Sequence, residues 1–286
     1  MPAIAVEDLR FRYPGAAADT LRGLSFAIGE GEIFGFLGPS GAGKSTTQRV
    51  LLKLLRGFTG SVGVLGRDLS TWGQDLYERV GVSFELPNHY LKLTGRENLE
   101  FFRALYARPS ETPEAMLAAV GLGDDADKRV AEYSKGMRMR LNLARALMHK
   151  PELLFLDEPT SGLDPVHAMA VRDIILSERA RGRSVFLTTH DMVLVDAVCD
   201  RVGFIVGGEL KSVDTPRALK LRHGRREVVV EVKAGGGLDR KRFPLDGIGA
   251  NDEFLSLLRD ADVQTIHSQE TTLDHVFAVV TGASLT

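Results

Sequence analysis

Gly38-Pro39-Ser40-Gly41-Ala42-Gly43-Lys44-Ser45-Thr46 follows an apolar run at residues 32–37 and opens a helical stretch at 45–55. The spacing is G-x-x-x-x-G-K-[ST], and the order strand, glycine-rich loop, helix is the one a phosphate-binding loop requires. Gly38, Gly41 and Gly43 allow a tight turn whose amides point inward at phosphate oxygens. The helix start adds partial positive charge. Lys44 is expected to reach the β- and γ-phosphates and Ser45 to ligate Mg²⁺. A chain with this loop is expected to bind ATP, with Mg²⁺ as the accompanying ion.

Outward from the loop, Leu153-Leu154-Phe155-Leu156-Asp157-Glu158 is an apolar strand that ends in two acids. In α/β sheets, ligands sit at the carboxyl ends of strands. Asp157 is therefore expected to hold Mg²⁺, directly or through water, and Glu158 to act as general base toward the attacking water. His190 ends another apolar strand, at 185–189, and suits contact with the γ-phosphate or the water. Further strands are expected at 4–9, 24–28, 80–84 and 202–206. Helices are expected at 96–106, 113–120, 135–148, 165–181 and 192–199. Alternating strands and helices predict a mostly parallel sheet covered by helices, preceded by N-terminal antiparallel strands. The helical stretch at about 87–147 reads as an inserted subdomain. Residues 1–215 form the nucleotide-binding domain in this reading, and 216–286 a small C-terminal α+β domain. In the latter, Arg222–Arg226 and Gly235–Gly237 read as a linker and a hairpin, and 251–260 and 272–280 as amphipathic helices.

Bulk properties narrow the function. The chain has 286 residues, 44% hydrophobic and 26% charged, with net charge -2. A general nucleic-acid binder normally shows a basic excess, so no nucleic-acid partner is expected. The single cysteine, Cys199, fits a reducing compartment. No apolar run approaches the roughly 20 residues of a spanning helix, and no signal peptide is visible.

Tyr133-Ser134-Lys135-Gly136-Met137 precedes the helix at 138–148 and the acidic strand. It resembles the signature of ATP-binding-cassette (ABC) ATPases, written Leu-Ser-Gly-Gly-Gln. Ser134 and Gly136 match, while Tyr133, Lys135 and Met137 depart. Ser161-Gly162-Leu163-Asp164 resembles the family's D-loop and Thr188-Thr189-His190 its switch histidine. Tyr13 stands where the family places an aromatic that stacks on adenine. Glu85 stands where the family has a glutamine that touches Mg²⁺ and the attacking water; a carboxylate there can still bind the ion but adds negative charge. The segment 271–282 resembles the closing helix of bacterial drug- and polysaccharide-exporter cassettes.

The resemblance implies a Mg²⁺-dependent ATPase subunit of an ABC transporter, an exporter in this branch. Such a cassette would lie at the cytoplasmic face of the cell membrane under a separate polytopic permease subunit. It would pair head to tail with itself or with a second ABC subunit, so that Ser134, Lys135, Gly136 and Asp164 face nucleotide in the partner. The alternative is a soluble, non-transport ABC ATPase. Such proteins usually carry two cassettes or long coiled-coil insertions, and neither is visible here.

Overall fold

The computed structural model describes residues 1–108, 110–224, 227–234, 237–269 and 271–282. The chain divides into two compact units, Met1–Pro216 and Arg217–Gly282.

The first unit begins with β1 (Ile4–Phe11), β2 (Leu21–Ile28), β3 (Ile33–Leu37), α1 (Lys44–Leu51), β4 (Thr59–Val64), β5 (Arg67–Asp68) and β6 (Val80–Ser83). The helices α2 (Gly95–Arg103), α3 (Pro113–Ala119) and α4 (Lys135–Leu147) follow. It closes with β7 (Leu153–Asp157), α5 (Pro165–Ala180), β8 (Ser184–Thr188), α6 (Met192–Val198), β9 (Arg201–Val206) and β10 (Glu209–Asp214). One sheet has the order β10-β9-β3-β8-β7-β6; its strands run parallel except the edge strand β10. The second, β2-β1-β4-β5, is antiparallel.

Every residue of β3 and β8 is buried, the pattern of strands covered on both faces. On one face Phe34, Phe36 and Phe186 meet Phe26 of β2 and Phe155 meets Phe186, with ring centroids 5.3–6.5 Å apart. On the other, Leu154, Leu156, Val185 and Leu187 pack against Leu143 and Leu147 of α4, Val171 and Ile175 of α5, and Leu194 and Val198 of α6. The helical insertion has its own core around Leu99, Leu117, Val130, Leu141 and Met148. Its helices start at threonine or serine caps: Thr94 in a reciprocal capping box with Glu97, Thr112 ahead of Pro113, and Ser134 ahead of α4.

The second unit holds α7 (Pro216–His223), whose first residue ends the first unit, β11 (Glu227–Ala234), β12 (Gly237–Pro244), α8 (Asp252–Asp260), β13 (Val263–Gln269) and α9 (Leu273–Thr281). The sheet order is β12-β11-β13, antiparallel throughout. Val228, Val230, Val232 and Phe243 form its buried centre, with Phe254, Leu257 and Leu258 of α8 packed on them.

Several expectations need correction. The first helix ends at Leu51 rather than at 55, because Lys53 turns into the left-handed region at φ 58°. Arg222 and His223 belong to the last turn of α7 and not to a linker; Arg225, Arg226, Gly235 and Gly236 lie outside the described residues. The hairpin itself is present as β11 and β12. The strands β4, β10 and β13 were not expected. Among the described residues, no helix is long and apolar enough to cross a membrane.

Helix α4 lies tightly on β6. A Cβ on Gly81 would stand 2.1 Å from the Ala146 carbonyl oxygen and 2.8 Å from side-chain atoms of Leu154 and Pro151. Gly81→Ala is therefore expected to destabilise the chain by at least ~1–3 kcal/mol, the usual cost of overpacking. Denaturant unfolding measures it, and an unchanged midpoint would mean that α4 has room to spare.

Candidate functional site

The loop after β3 enters α1 through Gly43, at φ 111°. Gly43 occupies the N-cap with no side-chain hydrogen bond, so the first amides of α1 have no cap competing for them. The Lys44 ammonium folds back to donate to the carbonyls of Gly38 and Pro39, the latter at 3.1 Å. Burial lowers its pKa, against the pull of Glu158, Asp157 and Glu85. These carbonyls hold the ammonium against the loop.

The acids arrive from β7. Asp157 Oδ1 accepts a hydrogen bond from Thr188 Oγ1 at 2.5 Å. Burial raises the Asp157 pKa; the Thr188 bond opposes the shift, and the charges of Glu158 and Glu85 add to it. Glu158 is buried, with φ at 48°. Its amide donates to the Thr188 carbonyl at 2.8 Å. Its Oε2 accepts from Thr189 Oγ1 at 2.9 Å and its Oε1 from His190 Nδ1 at 2.8 Å. The carboxylate is thus held on both oxygens, and the histidine ring that holds one of them is exposed.

These groups share one cavity of about 450 Å³, lined by Thr20, Ser40, Gly41, Gly43, Lys44, Ser45, Thr46, Glu85, Asp157, Glu158 and His190. A hollow of about 620 Å³ at the end of α2, beside Glu100, Arg103, Tyr106 and Arg108, is larger and more open but holds none of the expected site residues. The convergence of lysine, hydroxyls and carboxylates marks the smaller cavity as the site.

Other expected residues stand apart from that wall. Gly38 and Pro39 serve the loop through their carbonyls, and Ala42 is buried beneath it. Tyr13 lies edge-on to Phe11, centroids 4.9 Å apart, with its hydroxyl 3.2 Å from Thr46 Oγ1. Ser134 caps α4, accepting from the Met137 amide at 3.2 Å, and Asp164 caps α5, accepting from the His167 amide at 3.0 Å. Ser134, Lys135 and Gly136 do not line the cavity, but they adjoin the D-loop segment: a Cβ on Gly136 would be 3.2 Å from Leu163 Cδ2, and one on Gly162 would be 3.0 Å from Lys135 Cδ. Thr20 was missed from sequence, and Thr188 and Thr189 were read only as part of the histidine motif, with no role of their own. Both precede His190, and a hydroxyl pair before a strand-end histidine was the available signal.

The oxygen donors fit Mg²⁺, a hard cation. Among the described residues no group of three or more His, Cys, Asp or Glu could hold a metal ion.

A family model described as "ABC transporter" matches residues 21–161, and one described as "Fluoroquinolone efflux ABC transporter C-terminal domain" matches 226–270. A fluoroquinolones export ATP-binding protein of Mycobacterium tuberculosis is 56% identical over 284 residues, 99% of this chain and 94% of that protein. Nod factor export ATP-binding protein I of Rhizobium meliloti is 35% identical, over 82% of this chain and 68% of its own length. Among solved structures, an ATP-binding subunit of an ABC transporter superposes with TM-score 0.70 at 26% identity, covering 78% of this chain and 93% of its own. A dimeric ATP-binding cassette bound to ADP and Pi superposes with TM-score 0.67 at 23% identity, covering 74% of this chain and 98% of its own, and shares the fold.

Proposed function

The chain belongs to the ABC transporter family as an ATP-binding subunit that drives export, and on that premise we propose that it hydrolyses MgATP in sites shared by two cassettes beneath a separate polytopic membrane subunit. The observation that carries this reading is Glu158, a buried carboxylate on the cavity wall held by Thr189 and His190. So held, it takes a proton from water placed beside the γ-phosphate. Lys44 and the amides of the loop bind the phosphates, and His190 Nε2 reaches toward the γ-phosphate. Ser45 and Asp157, with Glu85 beside them, would hold Mg²⁺, which when bound neutralises phosphate charge. Tyr13 supports the loop through Thr46 and lies beside the adenine.

Ser134, Lys135 and Gly136 form a second anion-binding end that does not line this chain's own cavity. In our reading it closes the nucleotide site of a second cassette, which Asp164 also approaches. The partner is a copy of this chain or a second ABC subunit. The 56% identity over almost the whole chain to the mycobacterial protein supports fluoroquinolone-like drugs as the transported class. It also supports a place at the cytoplasmic face of the cell membrane.

The membrane subunit docks, in this reading, on the segment after Glu85. Leu86, Tyr90 and Leu91 are exposed there, and the Tyr90 ring leans on Phe101 and Phe102 with centroids 4.8 and 6.1 Å away. Exposed apolar groups clustered like this mark partner sites.

Glu158→Gln should still bind MgATP but turn it over at least ~100-fold more slowly, the scale of losing a general base. Near-normal steady-state hydrolysis would remove Glu158 from that role. Leu91→Asp, a change on the surface, should leave ATP binding intact while the cassette no longer co-purifies with its membrane subunit from detergent extract. Undiminished co-purification would place the docking surface elsewhere.

A further inference from the structure

Beyond its capped start, helix α4 holds the segment that leaves β6. Asn142 is fully buried on this helix. Its Nδ2 donates to Ser83 Oγ at 3.0 Å and to the Phe84 carbonyl at 2.8 Å. Its Oδ1 accepts from Arg145 Nη2 at 2.6 Å, which fixes the amide's orientation. Arg145 in turn donates from Nη1 to the Asn88 carbonyl at 3.0 Å and lies 4.6 Å from the Phe102 ring centroid. Its charge is met by an amide oxygen, a carbonyl and a ring. One turn earlier, the Arg138 carbonyl is 3.0 Å from His89 Nε2. Positions 138, 142 and 145 share one helical face. That face fastens the chain from Ser83 to His89.

The Phe84 carbonyl belongs to the peptide unit that leads into Glu85, and Glu85 lies on the wall of the nucleotide cavity. The path from the fully buried Asn142 to the cavity is therefore short: one hydrogen bond to a peptide, then the acid that peptide carries. We propose that Asn142, locked by Arg145, is the positioning residue for Glu85. It aims this carboxylate at the metal-facing side of the cavity and ties that aim to the helix capped by Ser134. The proposal rests on the reading of Glu85 as a metal-facing group. Groups that orient a metal ligand from behind change metal affinity by about 10–100-fold when removed.

The test uses the full chain, ATP and Mn²⁺, a hard, oxygen-preferring probe visible by electron paramagnetic resonance. Asn142→Ala should weaken Mn²⁺ binding to the ATP complex by about tenfold. ATP affinity measured without metal should stay within about twofold, because the phosphate loop is untouched. Glu85→Ala should weaken Mn²⁺ similarly, and adding Asn142→Ala to it should cost nothing more. Ser83→Ala, which leaves the helix core alone, should weaken Mn²⁺ by a smaller factor and guards against a folding defect in Asn142→Ala. Unchanged Mn²⁺ affinity in Asn142→Ala or in Ser83→Ala overturns the proposal. So do losses that multiply in the double variant, or a parallel loss of metal-free ATP binding. If Glu85→Ala alone leaves Mn²⁺ affinity unchanged, the metal-facing reading of Glu85 fails first and takes the proposal with it.

Discussion

The site depends on the register of β3, β8 and β7, in which Gly35 pairs with Leu187 and Asp157 with Thr188. That register brings three strand ends to one edge: the phosphate loop after β3, the acids at the end of β7 and the Thr-His pair after β8. A slip of one residue in any strand would turn its buried side chains to the opposite face. The phenylalanine cluster on one face and the aliphatic contacts to α4, α5 and α6 on the other resist that slip. Catalytic geometry is thus set by packing in the middle of the sheet.

Glu158 shows what the edge demands. A non-glycine residue in the left-handed region costs roughly 1–2 kcal/mol. Here the cost is offset by an amide hydrogen bond to Thr188 and two side-chain bonds, from Thr189 and His190. The sharp turn separates the two adjacent acids. Asp157 stays with Thr188, while Glu158 is carried to Thr189 and His190. Two neighbours in sequence therefore have different partners, as their proposed roles toward metal and water require.

What could be read from sequence follows the same physics. The loop 38–46 and the acids after 153–156 were legible because phosphate and metal chemistry fixes both residue type and spacing. Ser134 was legible as a pattern, and the structure places it at the start of α4, off the cavity wall. Thr188 and Thr189 were not singled out, because threonine in an apolar run reads first as a β-former. Asn142 gave no signal, since a polar residue inside a helix shows its purpose only when the opposite strand is in place. The strands β4 and β13 escaped because Thr-Gly-Ser-Val-Gly-Val and Val-Gln-Thr-Ile-His-Ser-Gln carry little apolar alternation. Arg222 and His223 looked like linker from their charge, yet cations suit the last turn of a helix such as α7.

In the proposed dimer, nucleotide is held between two cassettes, with the phosphate loop of one facing Ser134 of the other. Disulfide trapping tests it most directly. The native Cys199 is partly buried and burial pushes its thiol up, so it should stay silent. Chains carrying Ser40→Cys are mixed with chains carrying Ser134→Cys, and oxidised with and without ATP. The account predicts a cross-linked dimer of one chain of each kind, formed when ATP is present and absent when either substituted chain is incubated alone. No ATP-dependent cross-link between the two kinds would contradict a nucleotide site shared by two copies of this chain.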